Sequence, residues 1–213
     1  MKMDLKILGS CRIAENKILV NQKLKFSHSA VAFPHFADAA YKNQGVDYPR
    51  FYKMNNLAKL GFLAAEYLLS NFVVPPLAQA SGELTGIILA NHYSSLDTDL
   101  KHQHFIRQGI ASPAVFVYTL PNILIGELCI RHVIKGENTF FIAAEYDIPG
   151  QVTYVKQLLT NHIVRHCFVG WVEYTAQGYL AFLALVGPSA DTTLPAYTSP
   201  NINLLFQQSH GRA

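Results

Sequence analysis

Residues 84–91, LTGIILAN, form an apolar run with no charge and no proline. A strand of this kind is covered on both faces, which calls for a largely parallel sheet with helices above and below it. The segments around it fit that scheme. LKILGSCRI, KILV and KLKF near the start read as short strands, as do TFFIAA, CFVGWVEY and GYLAFLALVG further along. The last two are close enough to form a hairpin. KMNNLAKLGFLAAEYLLS reads as a helix buried on most sides, because Asn55, Asn56, Lys59 and Glu66 share one narrow arc and the remaining circumference is apolar. SSLDTDLKHQHFIRQG, NILIGELCIRHVIKG and GQVTYVKQLLTNHI read as further helices, the first two closing on Gly109 and Gly136. Glu127 and Arg131 stand at i,i+4 spacing as a helix-surface ion pair. SHSAVAFPHFADAAYKNQGVDYPRFY, with two prolines and a glycine, reads as loop. Residues 188–213, rich in Pro, Ser and Thr, read as a C-terminal surface tail after a domain spanning 1–187. There is no internal repeat.

Half of the 213 residues are hydrophobic and 15% are charged, so the chain is a folding one. Its net charge of +3 comes from scattered lysines and arginines, which gives nucleic-acid binding no support. Cys11, Cys129 and Cys167 lie far apart without CxxC spacing and fit buried thiols in a reducing compartment rather than a disulfide framework or a zinc site. The apolar stretch at residues 60–80 is broken by Glu66 and by Pro75 and Pro76, which argues against a membrane span. The first ten residues carry too short an apolar run for a signal peptide, so a cytoplasmic protein is expected.

The stretch GENTFFIAAEYDIPGQ, residues 136–151, runs a strand onto a tight turn and then into a helix. Several enzyme folds present a nucleophile in this way. Here the presented residue is Glu145, whose simplest role is to cap the helix that follows, where free N–H groups favour a carboxylate. That helix is amphipathic: Val152, Val155, Leu158, Leu159 and Ile163 form one arc, with Thr153, Lys156, Gln157, Thr160 and Asn161 opposite. Ser94 and Ser95 lack a GxSxG context and read as helix caps. His102 with His104, and His162 with His166, read as ordinary surface or loop histidines, since HIVRH lacks the glutamate of a zinc-protease motif. Gly136, Gly150 and Gly170 read as turn and packing glycines. No metal site and no cofactor motif is expected.

Four stretches in order carry a resemblance: YPRFYKMNNLAKLGFLAAEYLL, TGIILANHYSSLDTDLKHQHFI, ASPAVFVYTLPNILIGELCIRHVIKGENT and CFVGWVEY. Together they are similar to the N-terminal half of β-ketoacyl-acyl-carrier-protein synthases, members of the thiolase fold. The third stretch is the most specific, and the match covers residues 50–187. The resemblance implies a βαβαβαββ half-fold, with a five-stranded mixed sheet and helices on both faces. It also implies a departure. The family's strand ends in Ala-Cys, and here Ala144 takes the alanine place while Glu145 falls at the nucleophile cysteine. A thiolate at a helix N-terminus is a strong nucleophile, whereas a carboxylate is a weak one. The C-terminal half of a synthase, which supplies its two catalytic histidines, has no counterpart in this sequence.

What the resemblance implies for function is a non-catalytic synthase-like protein, comparable to the chain-length-factor partners of true synthases in fatty-acid, polyketide or aryl-polyene-type pigment biosynthesis. Expected partners are a second copy or a full-length ketosynthase, together with an acyl carrier protein. Two alternatives stand beside it: a small thioester-acting decarboxylase or hydrolase using Glu145, and a structural interaction module that binds no acyl group.

Overall fold

The computed structural model describes residues 4–29, 32–72 and 84–207. Pro75 and Pro76, invoked above against a membrane span, lie outside the described residues; among those described, no helix is long and apolar enough to cross a membrane.

The chain opens on a meander: β1 (Asp4–Ala14), β2 (Lys17–Val20) and β3 (Lys23–Ser27). Both of its two-residue turns have positive φ throughout, at Glu15 and Asn16 and at Asn21 and Gln22, as the tight turns matched to strand twist require. Then come α1 (Phe33–Gln44), a short 3-10 turn (Pro49–Lys53) and α2 (Asn56–Leu69). After these follow β4 (Thr85–Asn91), α3 (Leu96–Arg107), α4 (Pro113–Val117), α5 (Ile123–His132), β5 (Asn138–Ile142) and α6 (Ile148–Thr160). The hairpin of β6 (His166–Thr175) and β7 (Gly178–Ser189) and a last helix, α7 (Ser199–Gln207), complete the chain. The strands form one mixed sheet in the order β3-β2-β1-β7-β6-β4-β5, with β4 parallel to both β5 and β6 and the remaining pairs antiparallel.

All seven strand segments read along the sequence are present. The five-stranded sheet implied by the resemblance is too narrow, because β2 and β3 continue it beyond β1. Helices cover both faces. One core lies under α1, α2 and α5 and is built on Phe36, Phe51, Phe62 and Leu63; the other, under α6 and α7, is built on Val155, Val169, Phe182 and Tyr197. Every residue of β4 is buried, as its unbroken apolar run demands.

Three expectations are corrected. The segment read as loop before the 3-10 turn contains α1, whose Phe33, Phe36, Ala37, Ala40 and Tyr41 form a buried stripe. Pro34 sits in the first turn, where its missing N–H costs nothing, and Gly45 at φ 68° ends the helix in the left-handed conformation that glycine tolerates best. The end of the chain is not merely a surface tail. Tyr197 and Ile202 are each 1% exposed, and Ile7 N–H donates to Pro195 O while Tyr197 N–H donates to Leu5 O, both at 2.9 Å. The Glu127/Arg131 pair does not form. Arg50 Nε lies 3.1 Å from Glu127, and the Tyr118 hydroxyl donates to the same carboxylate at 2.8 Å, whereas Arg131 Nε reaches Glu66 on α2 at 2.7 Å. Both acids are buried, so each takes a partner fixed by tertiary packing in preference to the exposed i,i+4 alternative.

Candidate functional site

Three parallel strands, β5, β4 and β6, bring their carboxyl ends to one edge of the sheet, where open α/β folds place their sites. The turn after β4 is set by Asn91, fully buried. Its side chain donates to Ser94 O at 2.8 Å and accepts from Ser94 N–H at 3.0 Å, holding Ser94 at φ 54°. Ser94 therefore shapes a turn. Ser95 sits at the N-cap position of α3, but its hydroxyl donates to Thr119 O and does not cap the helix.

His92, exposed, is held at two points. Its backbone N–H donates to Glu173 at the end of β6, at 2.7 Å, and its Nδ1 lies 2.7 Å from Ala144 O, the carbonyl just before Glu145. A carbonyl only accepts, so Nδ1 carries the proton and in the neutral ring Nε2 holds the lone pair. Glu173 also accepts the Tyr93 N–H at 3.3 Å. Burial raises the pKa of Glu173, against the opposing pull of those backbone N–H groups.

Glu145 lies on the bend between β5 and α6, exposed, and makes no hydrogen bond with any described residue. It does not cap α6. The cap is Asp147, whose carboxylate accepts from Gly150 N–H at 2.9 Å, with Pro149 in the first turn. A Cβ on Gly150 would stand 2.1 Å from that carboxylate, so the glycine and the cap fit as a pair. Asp147→Ala should lower stability by about 1 kcal/mol, measured by urea unfolding; no loss would mean that α6 is held by packing alone.

Beneath the bend, Tyr146 is partly buried against the second core and donates to Gln151 Oε1 at 2.5 Å. The Gln151 amide in turn donates to Ile88 O at 3.1 Å and Gly170 O at 3.3 Å, which ties the first turn of α6 to β4 and β6. Burial pushes the Tyr146 hydroxyl pKa far up, so it acts as a fixed donor. Beside this network a cavity of about 380 Å³ opens at the β5 edge, lined by Ala90, Phe141, Tyr146, Gly150 and Tyr154 among others.

The other candidates lie elsewhere. Cys11 and Cys167 are fully enclosed, and burial pushes the thiols of all three cysteines up. His102 and His104 ride on α3, His162 follows α6, and His166 is buried at the start of β6. Among the described residues no three His, Cys, Asp or Glu side chains converge as a metal site would need. As expected, α6 buries Val152, Val155, Leu158 and Leu159 and wets Thr153, Gln157, Thr160 and Asn161, although Ile163 lies past its end, 51% exposed. The residues that sequence reading missed are His92, Glu173, Asp147 and Gln151. Only the last two left a signal: an acid two positions before the proline, and a glutamine on the apolar arc of a helix.

No protein-family model and no curated protein matches this chain. Solved structures do. The ishigamide ketosynthase/chain length factor superposes with a TM-score of 0.63 at 18% identity over 91% of this chain, which spans 64% of that one, less than two thirds of its length. A ketosynthase in complex with its chain length factor from Xenorhabdus doucetiae gives 0.59 at 13% identity, covering 96% of this chain and 91% of that chain. A type II PKS acyl-carrier protein in complex with its ketosynthase bound to the hexaketide also gives 0.59 at 13% identity, over 88% and 63% of the two chains. At these identities what is shared is the architecture: this chain has the thiolase-like fold of ketosynthases and chain length factors.

Proposed function

We propose that this chain is a non-catalytic synthase-like protein of the chain-length-factor kind, working beside a ketosynthase in fatty-acid, polyketide or aryl-polyene-type pigment biosynthesis. The observation that carries this reading is that the strand–turn–helix bend presents Glu145 as an exposed carboxylate; the resemblance in sequence aligns that residue with the family's nucleophile cysteine, and a carboxylate is a poor substitute for a thiolate. The sheet edges support it. The far edge, β3, carries Lys23 and Lys25, the usual device against unwanted pairing, whereas β5 carries no charge and no proline and leaves Phe141 43% and Ile142 52% exposed. Of the 17 large exposed hydrophobics among the described residues, 12 fall between Tyr93 and Ile142, and Thr98 is the one buried residue of α3. Apolar surface gathered in one part of a chain marks a protein contact. The partner supported best is a chain of the same fold, paired at the β5 edge.

Two measurements test this. Incubated with acyl and malonyl thioesters, the purified protein is expected to yield no product longer by two carbons, and Glu145→Cys should yield none either. Co-expressed with a ketosynthase encoded beside it, the protein should co-purify as a stoichiometric complex or remain an assembly of its own copies. Elongated product from the wild-type protein alone would overturn the non-catalytic reading. A second reading, thioester decarboxylation or hydrolysis at Glu145, is favoured by the free Nε2 that His92 holds beside the bend. Release of carbon dioxide or free thiol by the purified chain, abolished in His92→Ala, would replace the first reading by this one.

A further inference from the structure

A second cavity, of about 690 Å³, opens at the amino ends of β4 and β6, the far end of the parallel strands from Glu145. Its floor is one row across four strands. Leu5 on β1 pairs with Pro188 on β7, and Cys167 pairs with Val186, which carries Pro188 level with Arg165 just ahead of β6. Arg165 N–H donates to Leu84 O at 2.6 Å and completes the row at β4. Side chains alternate between the two faces along a strand. Ile7, Ile88, Cys167 and Val186 all lie in the core under α6 and α7. Leu5, Leu84, Arg165 and Pro188, each two or four residues from one of these, therefore face the same side. The end of α6 forms the roof with Leu159, Thr160 and His162, and Val164 closes the side.

Three of the four floor residues are apolar and the fourth is an arginine. Among the described residues its guanidinium has neither a hydrogen bond nor an ion pair. The end of α6 supplies no partner either. Gln157 O, Leu158 O and Leu159 O accept from the N–H groups of Asn161, Ile163 and His162 at 3.0, 3.0 and 3.3 Å, with His162 at φ 58° turning the chain back to the sheet. A helix end closed in this way sets few bare carbonyls against an approaching anion. Asp4 is the only acid lining the cavity. It stands on β1, two strands or about 10 Å from Arg165, so an anionic ligand is steered to the arginine side.

We propose that this cavity binds a small amphiphilic monocarboxylic acid, its carboxylate held by Arg165 beside the His162 ring and its hydrocarbon body laid over Leu5, Leu84, Leu159, Val164 and Pro188. The guanidinium fork matches a carboxylate with two parallel hydrogen bonds. The volume lies in the range of small-molecule sites, and so does the mixture of an apolar lining with a few polar groups. The ligand is the free acid and not its thioester, which has no charge for Arg165 to meet. A site at this end of the sheet takes no part in chemistry at Glu145 and stands apart from either reading of that residue.

Titration calorimetry with decanoate, kept below its micelle range, tests this. The wild-type protein is expected to bind it with a dissociation constant on the order of 100 μM. Arg165→Gln should weaken binding about tenfold, and Arg165→Lys, which keeps the charge and loses the fork, by less. Decan-1-ol should bind the wild-type protein only as weakly as decanoate binds Arg165→Gln, and that substitution should not change the alcohol's affinity. Leu84→Trp, which fills the floor at a partly exposed position, should abolish binding of both, with thermal melting unchanged. Amide shifts in the wild-type protein locate the ligand without any substitution and should gather at residues 4–5, 84 and 159–165. Decanoate bound equally well by Arg165→Gln, amide shifts gathered at the β5 bend, or no binding at millimolar decanoate would each overturn the proposal. The decanoyl thioester of N-acetylcysteamine, bound here as tightly as decanoate, would overturn the assignment of a free acid.

Discussion

Gly170→Ala is expected to leave little folded protein. Gly170 lies in the middle of β6 opposite Leu183 of β7. A Cβ there would stand 1.9 Å from Phe182 O, 3.0 Å from Phe182 C and 3.1 Å from Leu183 Cα. All three are backbone atoms, so no side chain can turn aside to make room. Neither strand is free to retreat, since β6 is bound on its other side by β4 and β7 by β1. The carbonyl of Gly170 also receives the Gln151 amide, so a shift of β6 would strip the support from the first turn of α6. Overpacking a core with movable side chains costs about 1–3 kcal/mol, and a clash between two central strands should cost at least about 4 kcal/mol. That is a large share of the roughly 5–15 kcal/mol that holds a domain together. Soluble yield and the urea midpoint are the measurements; a variant as stable as wild type would mean that the two strands can part without loss.

Glu66→Ala should cost about 3 kcal/mol. The Glu66 carboxylate lies on α2 in the first core, with its side chain 8% exposed. It receives Arg131 Nε at 2.7 Å and Nη2 at 3.4 Å from α5, and the guanidinium also lies over the Tyr48 ring at 5.1 Å. Removing the acid leaves a partly buried cation without its counter-charge, whereas Glu66→Gln keeps an acceptor in place and should cost less. His132 adds a pH dependence. Its Nε2 is 3.4 Å from Glu66 Oε1, within ion-pair range but without a hydrogen bond. Burial lowers its pKa from the ordinary 6.5, and Glu66 partly offsets that. A depressed histidine pKa means that, once the pH falls below 6.5, the unfolded chain takes up a proton that the folded chain refuses. Stability is full above that value and declines as the pH drops from it toward the folded pKa. Without Glu66 the pKa sinks further, so the acid loss should deepen. Unfolding at about pH 7.5 and about pH 5.5 should show a larger difference for Glu66→Ala than for wild type; equal differences would rule out the coupling.

The strands were legible because each is a short apolar run between turn residues, and α2 and α6 because their stripes repeat at the helical period. Composition misled at both ends of the chain. Pro34 made the α1 segment look like loop, although a proline in a first turn interrupts nothing. Pro, Ser and Thr around α7 masked the spacing of Ile202 and Leu205, which dock onto the sheet beside Tyr197. At the site, the bend after β5 could be read from FFIAAEYDIPG, but which acid caps the helix could not be decided by charge alone. Asp147 has the geometry, one residue before α6 begins, and Glu145 is left free. The His92–Glu173 contact joins residues 81 apart and left no trace in local spacing. The same holds for Glu127 and Arg131, where burial and tertiary partners overrode a pattern that would have ruled on an isolated helix.

The lysines of β3 also decide how large an assembly can grow. A building block with two adhesive ends adds to itself without limit, and a sheet open at both margins is the seed of a fibril. In this sheet one margin carries Lys23 and Lys25, so that end is terminated in the sense a polymer chemist would use, and only the β5 margin can react. If the β5 margin takes a partner chain as proposed, growth by edge addition stops at two sheets. Converting Lys23 and Lys25 to threonine would turn a chain stopper into a linker, and the symptom would be turbidity that rises with protein concentration.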